Sequence, residues 1–304
     1  MSMREYLRSA VEVAATEPGR AARIGLLELN YVGRRANQFV HGRLPRPDGH
    51  RLMERDWDTA VVLDACRYDA FEAAYDPGLG DLSKETAPGS ESREFFQRTF
   101  AGRTFHDTVY VTGNPYITIL PPDTFHAVRL DEAWNETGTE APPGRITDAA
   151  LEAHETYPNK RVIVHYMTPH RPFVAPGARH VEERLGNWRG MFLPEGTGRE
   201  AVRTAYRRNL DHVLEHVGDL LEAIDGKAVV TADHGELLGE RLRPIPTRCY
   251  GHYPSLYVPE LIEVPWLEVA AESRRTVETD PPAEELSVEE AERTRRLRAL
   301  GYVE

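Results

Sequence analysis

The stretch VVTADHGELLGE, residues 229–240, governs the reading of the whole chain. Val229 and Val230 begin a short apolar, β-branched run of the kind that forms a buried strand. Asp233, His234 and Gly235 follow at once. A strand core excludes such residues, but the carboxyl end of a parallel strand is where open α/β sheets bind ligands.

Three further segments have the same form. TAVVLDA (59–65) is a valine-rich run ending in Asp64. HDTVYVTGN (106–114) stops at Gly-Asn, and KRVIVHYM (160–167) carries His165 near its end. With KAVVTAD (227–233) these make four predicted strands. Helical stretches lie between them at 93–101, 146–157 and 199–224. In the last, Val202, Tyr206, Leu210, Val213, Val217, Leu220 and Leu221 recur at helical spacing. Strands alternating with helices predict an α/β fold, a three-layer α/β/α sandwich around a mainly parallel sheet.

Domain limits follow from composition. Residues 1–55 are expected to form a helical extension packed on the domain, with Leu26, Leu27, Leu29 and Val32 as its packing face. Residues 56–270 are expected to form the main α/β domain. Residues 271–304 read as a charged tail, first a surface linker through Pro281-Pro282 and then a short helix from Ser287 to about Leu300 closed by Gly301.

With 304 residues the chain is long enough for one large α/β core. Its net charge of −12 argues against nucleic acid as a partner, because phosphate binding needs a basic surface. No apolar run approaches the roughly 20 residues of a membrane span, and residues 1–20 hold no apolar signal core, so a cytoplasmic protein is expected. Lysine is confined to Lys84, Lys160 and Lys227, against 34 arginines. Acidic excess with so little lysine fits a halophilic, archaeal source, or GC-driven codon bias alone. Cys66 and Cys249 provide no disulfide framework.

Several ligand-type residues fall after strands: Asp64, Arg67 and Asp69; His165 and His170; Asp233 and His234; then Arg248 and His252 in RCYGHY. A lone carboxylate there is usually a helix N-cap, and a lone histidine usually packs through a hydrogen bond. Three strand ends and a later loop carrying them together point instead to a divalent metal, since carboxylate oxygens and imidazole nitrogens are the usual ligands of hydrolytic Zn²⁺, Mn²⁺ or Mg²⁺. SKETAPGSESREFF (83–96) supplies a hydroxyl, Ser90 or Ser92, before a helix whose N–H groups and dipole favour an anion. The alternative is that either serine serves only as a cap.

The chain resembles the alkaline phosphatase superfamily in its sulfatase, phosphodiesterase and lipoteichoic-acid-synthase-like branch. The residues that carry the resemblance are VVLDACRYD (61–69), VVTADHGELLGE (229–240), YGHY (250–253), LYVPELIEVPWL (256–267), HRPF (170–173) and the terminal LRALGYVE (297–304). The resemblance implies that Asp64, Asp233 and His234 hold a metal (Mn, Zn, Mg or Ca), with one site favoured over two. It implies a serine nucleophile. SESREF aligned on one branch gives Ser90, while the Ser-x-Thr pattern and the spacing to Gly102 give Ser92, slightly favoured. His170 and His252 would bind the substrate anion, act as acid, or hold a second metal. Arg67, Arg248 and His165 would bind substrate, although Arg67 could equally pair with Asp69. Two departures stand out. Cys66 lacks the Pro-Ser-Arg needed for formylglycine, and Thr168 stands where two-metal members carry Asp before His-x-Pro. The implied activity is cleavage of an anionic phosphate or sulfate ester on a small molecule, glycan or lipid head group. The alternative is a non-catalytic sulfatase-like protein that binds a metal or an anionic glycan.

Overall fold

The computed structural model describes residues 18–130, 142–186 and 193–283. A seven-stranded sheet has the order β2-β9-β6-β1-β5-β3-β4. Its strands are β1 (Thr59–Leu63), β2 (Asp81–Thr86), β3 (Phe105–Thr112), β4 (Phe125–Leu130), β5 (Arg161–Tyr166), β6 (Ala228–Ala232) and β9 (Glu263–Val269). The five strands from β6 to β4 are mutually parallel, and β9 runs antiparallel to β6 and β2. A separate hairpin pairs β7 (Leu237–Arg241) with β8 (Arg248–Gly251). The helices are α1 (Pro18–His41), α2 (Tyr68–Ala74), α3 (Ser92–Phe100), α4 (Pro143–Thr156), α5 (Arg179–Leu185), α6 (Arg199–Ala223) and α7 (Pro259–Ile262).

Strand alternation divides the core into two layers. Val61, Leu63, Val162, Val164 and Val230 face α2, α4 and α6 through Phe71, Ile146, Leu210 and Val217. Ala60, Val62, Ile163 and Val229 point the other way, onto Phe95, Phe96 and Phe100 of α3 and onto Trp57 and Trp266. The sheet is therefore covered on both faces, which explains why β1 and β6 are buried throughout and mainly apolar rather than alternating. This is the predicted three-layer α/β/α fold.

The four predicted strands appear with ends shifted by one or two residues. β2, β4, β7, β8 and β9 were not expected. β2, DLSKET, is an edge strand with mostly exposed or half-buried residues, so it lacks an apolar signature. α1 departs most from expectation. Leu26, Leu29 and Val32 are exposed at 56%, 69% and 60%. The packed face is polar: Asn30, Asn37 and Gln38 are buried. Asn37 Nδ2 donates to the Ile245 carbonyl at 2.8 Å, Asn30 Nδ2 to the Arg248 carbonyl at 3.0 Å and Gln38 Nε2 to the Pro254 carbonyl at 2.9 Å. The neighbour is the 245–254 segment, β8 with the loops on either side of it, whose carbonyls need donors, so amides fit where leucine would leave them unpaired. Gly33 lets the helix approach closely, because a side chain there would collide with Thr247.

Residues 271–283 are tied down rather than loose. Backbone bonds join Glu278 N to the Asn159 carbonyl and Ala283 N to the His126 carbonyl. Lys160 pairs with Asp280 at 2.6 Å, and Arg274 pairs with Asp56 and Asp58 at 2.7 and 2.6 Å. The part of the expected helical extension before residue 18 and the expected helix from Ser287 to about Leu300 lie outside the described residues. No described helix is long and apolar enough to cross a membrane.

Arg275 Nη1 lies 2.7 Å from His154 Nδ1, and the buried ring sits against Thr59. Burial, then Arg275, hold His154 neutral with its pKa lowered from 6.5 to about 4. An unfolded chain binds this proton more readily, so stability falls as pH drops from 6.5 towards 4 and levels off below that. This residue is expected to remove on the order of 2–3 kcal/mol across the window. Urea unfolding at both ends of it should show His154→Asn with a shallower loss than the parent, and equal slopes would refute the assignment.

Candidate active site at the carboxyl ends of the strands

Register builds the site. In the β1–β6 ladder Leu63 is opposite Ala232, so the next residues, Asp64 and Asp233, emerge side by side. β3 pairs Thr112 with His165, which brings Asn114 to the same end. The β1 strand then turns sharply at Ala65, whose φ is +60°, a left-handed conformation that costs a non-glycine residue about 1 kcal/mol. The turn aims the Ala65 N–H at Asp233 Oδ1, 3.0 Å away, and Tyr206 of α6 caps the Ala65 carbonyl at 2.7 Å.

Ser92 opens α3 at this point. Glu91 is the N-cap, accepting from the N–H groups of Arg93 and Glu94 at 3.3 and 2.9 Å. The Ser92 hydroxyl reaches Asp233 Oδ2 at 2.8 Å, His234 Nε2 at 3.2 Å and Asp64 Oδ2 at 3.3 Å. All four residues are fully buried. Ser90 is placed elsewhere: its hydroxyl lies 2.9 Å from the Tyr253 carbonyl and 3.1 Å from Glu94 Oε2 and accepts from Leu256 N at 3.2 Å, so it fastens loops together and makes no hydrogen bond to Asp64 or Asp233.

The two carboxylates differ in environment. Burial, then Asp233 and Glu236, push the Asp64 carboxyl well above its ordinary value. Burial also opposes ionisation of Asp233, but His234 and His165, then the Ala65 N–H and Ser92, outweigh it and keep Asp233 below. Asp64 Oδ2 accepts from Asn114 Nδ2 at 3.0 Å, while Asp64 Oδ1 has no hydrogen-bond partner among the described residues. A buried, partnerless carboxylate oxygen is costly.

One oxygen each from Asp64 and Asp233 and one nitrogen of His234 lie within 4.8 Å of one another. An O,O,N donor set with an orphaned oxygen fits a divalent cation, which would satisfy that oxygen and offset the like charges. His234 Nδ1 lies 2.8 Å from the Gly235 carbonyl, an arrangement that leaves Nε2 as the donor to a metal. A second group, His170, Glu236 and His252, meets the same distance criterion. Glu236 was not singled out in the sequence, although it stands in DHGE.

His170 and His252 come together at the partly exposed side of the cluster. Their rings are 5.0 Å apart, and His252 is 4.3 Å from His234. His252 Nδ1 lies 3.4 Å from Glu236 Oε2. Burial pulls His252 down, but Glu236, Glu91 and Asp233 outweigh it and hold the imidazole above its ordinary value. Burial, then His252 and His234, hold His170 well below. Asn209 of α6 fixes the His170 loop by donating to the carbonyls of Pro169, His170 and Pro172.

The structure assigns three expected substrate-binding residues other contacts. Arg67 is bidentate on Asp69 at 2.8 and 2.6 Å and pairs with Glu240 at 2.9 Å, so the internal pairing takes its donors. Arg248 donates to the Gly239 carbonyl on the hairpin. His165 lies in the core behind Asp233, bonded to Tyr110 Oη at 2.9 Å and with Nε2 3.8 Å from Asp233 Oδ2. Burial lowers its pKa to about 4, so the ring is neutral, and its Nε2 has no hydrogen-bond partner among the described residues. Cys66 is buried, and burial pushes its thiol well up. Asn114 was noted in the sequence only as the end of a strand, yet the rule that found Asp64 and Asp233 applies to it equally.

No family model matches the chain, and no curated protein matches it. Similar solved structures include the C-terminal periplasmic domain of EcEptC from Escherichia coli in complex with Zn, 14% identical, with a TM-score of 0.49 over 75% of this chain and 77% of that one. Another is the soluble domain of lipooligosaccharide phosphoethanolamine transferase A from Neisseria meningitidis, 11% identical, TM-score 0.44, covering 70% of this chain and 76% of that one. The putative sulfatase yidJ from Bacteroides fragilis is 20% identical with a TM-score of 0.30, over 46% of this chain and 33% of that one.

Asp233→Ala is expected to weaken divalent-metal retention roughly 100-fold or more, and Asn114→Ala, which frees Asp64 to reorient, roughly tenfold. Elemental analysis of folded protein after dialysis measures both. Full retention by Asp233→Ala would remove that residue from the ligand set.

Proposed function

We propose that the chain is a metal-dependent enzyme of the alkaline phosphatase superfamily that cleaves or transfers an anionic phosphate or sulfate ester, with Ser92 as nucleophile. The observation that carries the reading is the Ser92 hydroxyl, at a helix N-terminus and within 3.3 Å of Asp64, Asp233 and His234. A structural cap would not need two buried carboxylates and an imidazole around its oxygen.

Asp64, Asp233 and His234 would hold the metal. When bound, a divalent ion supplies Lewis-acid stabilisation of the transferring group and favours the ionised serine oxygen. Ser92 Oγ attacks phosphorus or sulfur, and the bond to the leaving ester oxygen breaks. The serine proton leaves along its hydrogen bonds to the carboxylates. The dipole of α3, whose Arg93 and Glu94 N–H groups are already capped by Glu91, favours the negative charge that builds up at its N-terminus. His252, whose imidazole Glu236 holds above its ordinary value, is the donor suited to the leaving oxygen, and His170, held well below its own, borders the same opening. Water, or the hydroxyl of an acceptor, then attacks the group on Ser92, and the serine regains its proton. Cys66 has no part in this scheme.

Aryl phosphate, phosphodiester and sulfate substrates, assayed with added Zn²⁺, Mn²⁺, Mg²⁺ or Ca²⁺, test the reading. Ser92→Ala is expected to lower kcat by roughly 10⁴-fold or more, and His252→Ala to lower kcat/KM by about 10²–10⁴-fold. Ser90→Ala and Cys66→Ala should retain activity within about tenfold if folded. A Ser92→Ala variant as active as its parent, with the metal retained, would refute the proposal. Metal binding without turnover of any ester would favour a binding protein.

A further inference from the structure

The packed face of α1 is polar and its outer face is apolar. Leu29, Val32 and Phe39 are exposed at 69%, 60% and 60%, with Val40 at 39% beside them. Positions 29, 32, 39 and 40 fall on one side of a helix. Leu26 and Leu44 extend the patch, exposed at 56% and 51%. Contiguous apolar surface of this kind marks an interaction site, whereas scattered exposed leucines do not.

Charge identifies the partner. Residues 18–46 hold six arginines and a single acid, Glu28, in a chain whose net charge is −12. The Arg43 guanidinium lies 3.3 Å over the Phe39 ring, so a cation borders the apolar stripe directly. Exposed Arg35 flanks it on the helix. A basic, one-sided helix of 24 residues, about 36 Å long, is the form that lies in a bilayer interface rather than through it. A two-fold contact between copies would set these arginine rims against each other, and like charges repel.

We propose that α1 is a peripheral membrane anchor, lying flat on a bilayer of anionic lipids. The stripe Leu29, Val32, Phe39 and Val40 enters the boundary between head groups and acyl chains, and the arginines pair with anionic head groups. The opposite face of α1 holds the 245–254 segment through Asn30, Asn37 and Gln38, and Arg34 stacks 4.1 Å over Tyr253, next to His252. The anchor and the wall of the candidate active site are thus one packed unit.

Flotation of the full chain with phosphatidylglycerol–phosphatidylcholine vesicles, and with phosphatidylcholine alone, tests the anchor independently of catalysis. The parent should float with the anionic vesicles and be released by high salt, which shortens screening to about 3 Å at 1 M. The double variant Val32→Asp/Phe39→Asp should partition roughly 100-fold more weakly, with circular dichroism and metal content unchanged. Arg35→Glu/Arg43→Glu should lose the preference for anionic vesicles. Failure of the parent to float, or equal flotation of Val32→Asp/Phe39→Asp, overturns the proposal. So does a dimer, seen by light scattering, that the same double variant splits, because the stripe would then be a contact between copies.

Discussion

Two carboxylates buried side by side dominate this molecule. The parallel register of β1 and β6 places Asp64 and Asp233 next to each other with no exposed surface. Such a pair is unfavourable by itself, since burial and mutual repulsion both oppose ionisation. The surroundings are arranged to offset this. Backbone N–H groups of Ala65 and His234 reach Asp233 Oδ1, Ser92 reaches Oδ2, and Asn114 reaches Asp64. One oxygen of Asp64 is still left without a hydrogen bond, and that residual deficit is the physical reason to place a cation there.

The rest of the fold holds this cluster in place. α3 brings its N-terminus to the carboxylates because Phe95, Phe96 and Phe100 bury its far side against the sheet. α6 packs Leu210, Val213 and Val217 on the opposite layer, and from the same helix Tyr206 and Asn209 reach the Ala65 turn and the His170 loop. A helix whose apolar stripe drives packing therefore also fixes two functional loops. Its polar members are buried because their partners are backbone groups that need them.

Much of the layered fold was legible because its strands are buried on both faces and read as unbroken valine-rich runs. β2 and the β7–β8 hairpin were not, since exposed or loop-like strands lack that pattern. Asp64, Asp233 and His234 were visible through their position after such runs. The choice between Ser90 and Ser92 was not, because it depends on which hydroxyl the turn before α3 points inward, and two residues of spacing cannot settle that. For Arg67 the sequence left substrate and Asp69 as two readings, and the structure pairs it with Asp69; the contacts of Arg248 and His165 were out of reach, because a cation or imidazole near a strand end has the same spelling whether it meets substrate, a backbone carbonyl or Tyr110. α1 misled for a related reason. Leucine at helical spacing implies a core, but the segment it packs on offers carbonyls, so the amides turned inward and Leu26, Leu29 and Val32 outward, with Leu27 half-buried.

The most direct test is to trap the group on its acceptor. Folded, metal-loaded protein is incubated with an activated aryl phosphate, quenched in acid, digested and mapped by tandem mass spectrometry. The expected result is a phosphoryl group on the peptide containing Ser90, Glu91 and Ser92, with fragment ions placing it on Ser92 and with Cys66 unmodified. A modification located on Ser90, a formylglycine at Cys66, or turnover with an unmodified Ser92 peptide under conditions that slow the second step would contradict the role assigned to the buried cluster.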